Sequence, residues 1–262
     1  MYESPKLVSL TFKNIHKLHL NVRLPFGFEY LLIEDVDEIE ELERSIFSEV
    51  RQIHRFEIKN SKVLTLDKDT FLHIPIGSAS FNNVTIGYAK ENSLNFTNVR
   101  NFKNSGVYFE YCTFEKLDNY AISIKGMDNI SIINSEFKSY MKHSFIASEF
   151  KQMIFENNIL PCNEDSACDG IITNFVQDLY RSTRGQNMCK LVQKNYCDQQ
   201  RSKSVSSSFR KLKKCGLDLS KFGIANSCLQ IGTESENNAH PHHTLETIYI
   251  ISFITLLKML LN

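Results

Sequence analysis

The chain is 262 residues long, enough to bury a sizeable core as one elongated domain with an appendix or as two domains. Lys+Arg and Asp+Glu balance at 30 each. That argues against a protein that holds nucleic acid by charge, and no nucleic-acid partner is expected. The aromatics are mostly Phe, 19 beside 10 Tyr and no Trp, which suits a stacked β-core.

The first residues, Met1 to Lys6, lack the apolar stretch of a signal peptide. A unit of about 23 residues then recurs: Leu10-x-Phe12-x-Asn14, Leu31-x-Ile33-x-Asp35, Phe56-x-Ile58-x-Asn60, Ala79-x-Phe81-x-Asn83, Val107-x-Phe109-x-Tyr111, Ile130-x-Ile132-x-Asn134 and Met153-x-Phe155-x-Asn157. Alternating apolar pairs mark short strands with one buried face, and a polar residue follows where each strand turns. Repeats of this length belong to solenoids, whose coils bury their apolar faces against one another. Within the repeats, Glu34 to Glu49 places Val36, Ile39, Leu42 and Ile46 at helical spacing, so part of that coil is expected to be a helix. From Gly106 to Leu160 each coil reads as two short strands with a tight turn, such as Lys125-Gly126-Met127-Asp128.

The resulting expectation is an all-β, right-handed parallel β-helix solenoid of about seven coils over residues 1–160. A leucine-rich-repeat solenoid is the alternative, because its period overlaps. Its frame wants Asn or Cys where this chain holds Ile15, Val36, Ser61, Val84, Cys112, Ser135 and Asn158.

Residues 161–228 hold Cys162, Cys168, Cys189, Cys197, Cys215 and Cys228, without a C-x-x-C spacing. Six cysteines in one stretch suggest three disulfides in a secreted chain, with the pairing open. The alternative is a set of reduced cysteines in an intracellular one. Ile171 to Tyr180 reads as a short amphipathic helix, and the zone is expected to be a partly helical, cysteine-rich cap closing the last coil. Residues 229–246 are a polar linker, and residues 247–262 are an apolar tail.

The tail is shorter than a bilayer span requires. Small side chains around Asn237, a polar spacer and the tail together resemble a GPI-attachment signal, with Asn237 as the candidate attachment residue. An ordinary terminal helix is the alternative. Asn95, Asn129 and Asn83 stand in N-x-S/T sequons. The repeat register turns Asn83 inward, so Asn95 and Asn129 are the better glycosylation candidates.

The run Tyr120 to Phe137 (YAISIKGMDNISIINSEF) resembles the right-handed parallel β-helix repeats of the pectate-lyase-like superfold. The likeness covers roughly residues 5–160 and concerns architecture. The junction Asn157 to Cys162, continuing to Cys168-Asp169-Gly170-Ile171, resembles the cysteine-bearing end of uncharacterised arthropod cell-surface β-helix proteins. That superfold hosts lyases, hydrolases, adhesins and inert scaffolds, so the resemblance implies no one activity.

Enzymes of this kind acting on polysaccharides cluster carboxylates on adjacent coils. Here the turn series is mostly Asn, and Glu110, Glu136 and Glu156 are read at non-equivalent offsets. The stacked Asn side chains are expected to hydrogen-bond along the coils and satisfy turn backbone groups. Cys112 reads as a buried small side chain. His240-Pro241-His242-His243 falls in the polar spacer, and no cofactor, metal or catalytic residue is expected. The reading is a non-enzymatic extracellular or cell-surface recognition protein, tethered to the membrane by its C-terminus. It would bind a protein or glycan through a solenoid face. A polysaccharide lyase or glycoside hydrolase and a leucine-rich-repeat receptor fragment are the alternatives.

Overall fold

The structure, a computed structural model, describes residues 8–21, 23–24, 26–98, 102–161, 171–183, 188, 194–197 and 219–222. They all belong to one compact unit, Met1–Leu229; the second unit, Gln230–Asn262, lies outside the described residues.

The fold is an all-β parallel β-helix of about six turns, one fewer than the repeats suggest. Its first coils are long bent strands: β1 (Val8–Leu18), β2 (Phe26–Leu42), β3 (Val50–Leu66) and β4 (Ile76–Ala89). Further along, each coil breaks into separate strands. β5 (Leu94–Thr97) follows β4, then β6 (Gly106–Glu110), β7 (Thr113–Leu117) and β8 (Ile122–Lys125) make one coil. β9 (Asn129–Ile133), β10 (Glu136–Phe137) and β11 (Phe145–Ser148) make the next, and β12 (Gln152–Glu156) opens the one after. One parallel sheet, sheet A, runs β1-β2-β3-β4-β6-β9-β12, with β7 pairing β4 and β10 pairing β7; a second, sheet B, runs β11-β8-β5. A leucine-rich repeat carries one strand per unit, so the three strands of a coil decide against that alternative.

The polar residue ending each repeat is the corner of the coil. Asn14, Asp35, Asn60, Asn83, Tyr111, Asn134 and Asn157 all adopt left-handed backbone, with φ between 46° and 59°. Asn and Asp enter that region at low cost, because their short polar side chains bond locally. The expected side-chain ladder is present at Asn60 Nδ2 to Asp35 Oδ1 (3.0 Å) and Asn83 Nδ2 to Asn60 Oδ1 (3.1 Å). Asn83 is nevertheless exposed, which corrects its inward assignment. The left-handed residue interrupts the two-residue alternation, so the inward position falls on its neighbour Val84.

That neighbour forms a second ladder, inside the wall. The N–H of Val36 donates to Ser61 Oγ (3.1 Å), that of Cys112 to Ser135 Oγ (3.0 Å) and that of Ser135 to Asn158 Oδ1 (2.9 Å). Each of these three buried corner amides thus finds its partner in a side chain of the following coil, where an orphaned donor would cost about 1–3 kcal/mol.

Glu34–Glu49 is not the expected helix. β2 runs through Leu42, and only Arg44–Phe47 forms a short 3-10 turn. Val36, Ile39 and Leu42 are fully buried in the strand. A register irregularity between Glu34 and Ile39 inserts a residue relative to β3. The bulge and the bend at the next corner mimic helical spacing.

The core is a file of stacked rings. Phe81 and Phe109 lie 4.8 Å apart and 20° from parallel, and Phe114 and Phe137 lie 4.7 Å apart at 16°. Such pairs add roughly 0.5–1.5 kcal/mol to the burial of the rings.

Helix α1 (Ile171–Thr183) packs against β11. Ser182 Oγ accepts the N–H of Ala147 (3.0 Å), and Val176 and Leu179 are buried. The helix therefore closes the open edge of sheet B. After it the corner ladder returns at residues 194–197, where Ile159 bridges Tyr196 in parallel.

Candidate recognition face

Sheet A points alternate side chains outward, and its register stacks them in columns. The central column reads Thr11, Leu32, Glu57, Ser80, Tyr108, Ser131 and Ile154. On one side of it lie Tyr30, Arg55, Ser78, Gly106, Asn129 and Gln152, and on the other Glu34, Lys59, Asn82, Glu110, Ile133 and Glu156. Adjacent strands sit about 4.8 Å apart, so the face is a regular grid of mostly polar side chains with two tyrosines.

Glu57 anchors one end. It points outward yet is only 1% exposed, because its neighbours fold over it. Tyr30 donates its hydroxyl to Glu57 Oε2 (2.8 Å), Lys59 Nζ lies 2.6 Å from the same oxygen, and the Arg55 guanidinium bonds Oε1. Burial opposes ionisation, but the bonds from Lys59, Tyr30 and Arg55 outweigh it and hold the carboxyl below its ordinary range. Burial and the Glu57 carboxylate push the Tyr30 phenol up to about 12. The Arg55 guanidinium also sits over the Tyr30 ring, 5.6 Å from its centre.

Tyr108 anchors the middle. Its phenol leans back along β6 over Gly106, so that a Cβ there would lie 2.3 Å from the hydroxyl oxygen. Gly106 thereby lets a half-exposed ring lie flush with the sheet. Beside it Asn82 Nδ2 donates to Glu110 Oε2 (3.1 Å). Around the ring, Ser78, Ser80 and Ser131 keep the surface low.

The register corrects the reading of the carboxylates. Glu110 and Glu156 share a column, with Ile133 between them, and Glu136 belongs to β10 on the other limb of the coil. Two strand spacings, about 9.6 Å, separate Glu110 from Glu156, and Lys194 Nζ lies 2.7 Å from Glu156. Among the described residues of this face, no carboxylate stands directly opposite another on an adjacent strand.

The other sequence-derived candidates are scattered. Asn95 sits on β5, its Oδ1 accepting the Thr97 hydroxyl (3.2 Å), and Asn129 opens β9. Cys112 is a buried free thiol whose pKa burial pushes up to about 12. Of the six cap cysteines, Cys197 alone is among the described residues, where it is half-buried; Cys162, Cys168, Cys189, Cys215, Cys228 and Asn237 lie outside them. Among the described residues no group of three potential metal ligands occurs, and no helix is long and apolar enough to cross a membrane.

A second polar cluster escaped the sequence, because α1 brings together residues 35–38 positions apart. Tyr140 donates its hydroxyl to the buried Asp178 (2.9 Å), and His143 Nδ1 lies 3.0 Å from the other Asp178 oxygen. Tyr120 stacks on the His143 ring at 5.7 Å. Burial holds Asp178 above its ordinary value, and burial and the adjacent Asp178 push Tyr140 well up as well. The cluster reads as the polar seam that seats the cap helix.

No family model matches this sequence, and no curated protein or solved structure is significantly similar to it.

Proposed function

We propose that this protein is a non-enzymatic recognition scaffold that binds an extended partner, a protein or a glycan, along the outward face of sheet A. The observation that carries the reading is Tyr108 lying flush over Gly106 among Ser78, Ser80, Ser131 and the Asn82–Glu110 pair. An aromatic plane level with fixed donors and acceptors offers stacking and directional bonds at little entropic cost. A hydrolase would need a carboxyl free to trade protons; Glu57, held ionised by Lys59, Tyr30 and Arg55, is poorly suited to that work.

The proposed setting is the cell surface, with residues 247–262 acting as a GPI-attachment signal or a short membrane segment. Support comes from the half-exposed sequon residues Asn95 and Asn129 and from the six cysteines of residues 161–228, a number that suits disulfides in an oxidising compartment. The likeness of the 157–171 junction to arthropod surface proteins points the same way.

The test is to screen the full chain on arrays of immobilised glycans and extended peptides, beside Tyr108→Ala and Ser80→Arg. Binding lost in both variants at unchanged melting temperature supports the reading. No binding by the wild type, or binding indifferent to both changes, contradicts it. In cells expressing the chain behind a secretion signal, release by phosphatidylinositol-specific phospholipase C tests the anchor.

A further inference from the structure

We propose that the outer edge of β1 is a docking edge for an acidic, extended strand of another polypeptide, which adds to sheet A in parallel ahead of β1. β1 ends the sheet: it pairs with β2 on one side and, among the described residues, with nothing on the other. It presents an 11-residue edge, twice the length of an ordinary strand.

Among the described residues, the apolar side chains of β1 lack the cover that those of β2 receive. Leu31, Ile33 and Val36 of β2 are 1%, 1% and 0% exposed, whereas their register partners Leu10, Phe12 and Ile15 are only partly buried. Val8 is 49% exposed. Lysines are a common device for blunting such an edge. Here, however, Lys13 and Lys17 turn back onto β2, to Glu34 (2.7 Å) and Glu38 (3.3 Å). They leave the edge open.

Charge selects the occupant. β1 carries Lys13, His16 and Lys17 and no carboxylate, while β2 carries seven carboxylates and no cation. β3 is basic again, with Arg51, Arg55, Lys59 and Lys62 against Glu57 alone. The acidic β2 therefore has a basic strand on each side, and the basic β1 has an acidic strand on one side only. An acidic strand ahead of β1 would repeat the relation of β2 to β3. A second copy meeting edge to edge would set two cationic strands together, with no carboxylate in either. Strand addition of this kind takes affinity from backbone bonds and selectivity from alternate side chains.

The probe is a fluorescein-labelled peptide with the sequence Phe26–Leu42, set beside the same peptide with every Glu and Asp changed to Gln and Asn. Fluorescence anisotropy with the full chain should show the acidic peptide binding at least tenfold tighter than the neutral one, with the difference collapsing in 0.5 M salt (about 4 Å of screening length). Hydrogen exchange should show new protection over residues 8–18. Because the charge change is made in the peptide, a misfolded variant cannot imitate the result. Equal binding of both peptides, protection elsewhere in the chain, or no binding at millimolar peptide would overturn the proposal. Concentration-dependent self-association that protects β1 would overturn it too, in favour of a second copy.

Discussion

The backbone N–H of Asn158 donates to Oδ1 of Asn195 at 2.8 Å, across 37 positions of sequence. The Asn195 amide in turn donates to the carbonyl of Phe155 (3.0 Å). One coil earlier Asn158 does the same work for Ser135 and Ile132, at 2.9 Å in both bonds and a separation of 23 from Ser135. The coil geometry is thus conserved through an insertion that holds the cap helix. An asparagine at this corner bridges both groups that the left-handed turn leaves unpaired.

Removing that bridge should be costly. Asn158→Ala strands the Ser135 N–H and the Ile132 carbonyl inside the wall, and urea denaturation should show a loss of about 1–3 kcal/mol. Asn158→Ser should recover part of it, because serine serves the same amide position at residues 61 and 135.

At the corner of the fifth coil the prediction runs the other way. Tyr111 holds φ 55° and is 56% exposed, where five of the seven corners carry Asn. Left-handed backbone costs an ordinary residue roughly 1–2 kcal/mol. Tyr111→Asn should therefore raise stability by about 1 kcal/mol, read as a higher melting temperature; no rise would mean that the tyrosine ring contributes more than its backbone costs.

Glu57 ties stability to acid. Its pKa is held down in the fold, so its contribution is complete above the unfolded value of about 4.3 and disappears as pH falls through the lower folded value. Glu57→Gln should destabilise the protein at pH 7 and match the wild type near pH 2. An equal deficit at both pH values would assign the loss to packing.

Asp178 has the opposite sign. Burial raises its folded pKa, so the fold favours the protonated acid. That contribution is full below about 3.9 and is lost as pH rises through the folded value. Asp178→Asn, which can still accept from Tyr140, should flatten the pH dependence of cap unfolding over that window, as followed by hydrogen exchange of α1.

Much of the fold is legible in the sequence, because a strand's two-residue period survives in Val107/Phe109 and Ile130/Ile132 whatever surrounds it. The corners were legible as polar residues but not as left-handed turns, and that turn is why Asn83 points out. Val36, Ile39 and Leu42 carry helical spacing in a strand because a bulge and a bend reproduce it. Lys194-Asn195-Tyr196 repeats the corner of Asn157-Asn158-Ile159, a weak signal lost once the helix stretches the period to 37. Of the candidate face, the outward alternation could be read from the chain. The closure of Glu57 and the lean of Tyr108 over Gly106 depend on neighbouring strands and on side-chain direction, which spacing does not encode.

The most direct test of the proposed recognition face is to place one bulky charge on each side of the solenoid. Ser80→Arg and Ser131→Arg alter the outward face of sheet A, and Ser123→Arg alters that of sheet B, all at half-exposed serines. Titrated against whichever array ligand binds the wild-type chain, the two sheet A variants should lose at least tenfold in affinity, while Ser123→Arg keeps it. Loss confined to Ser123→Arg, or equal binding by all three, would contradict the assignment of sheet A as the recognition face.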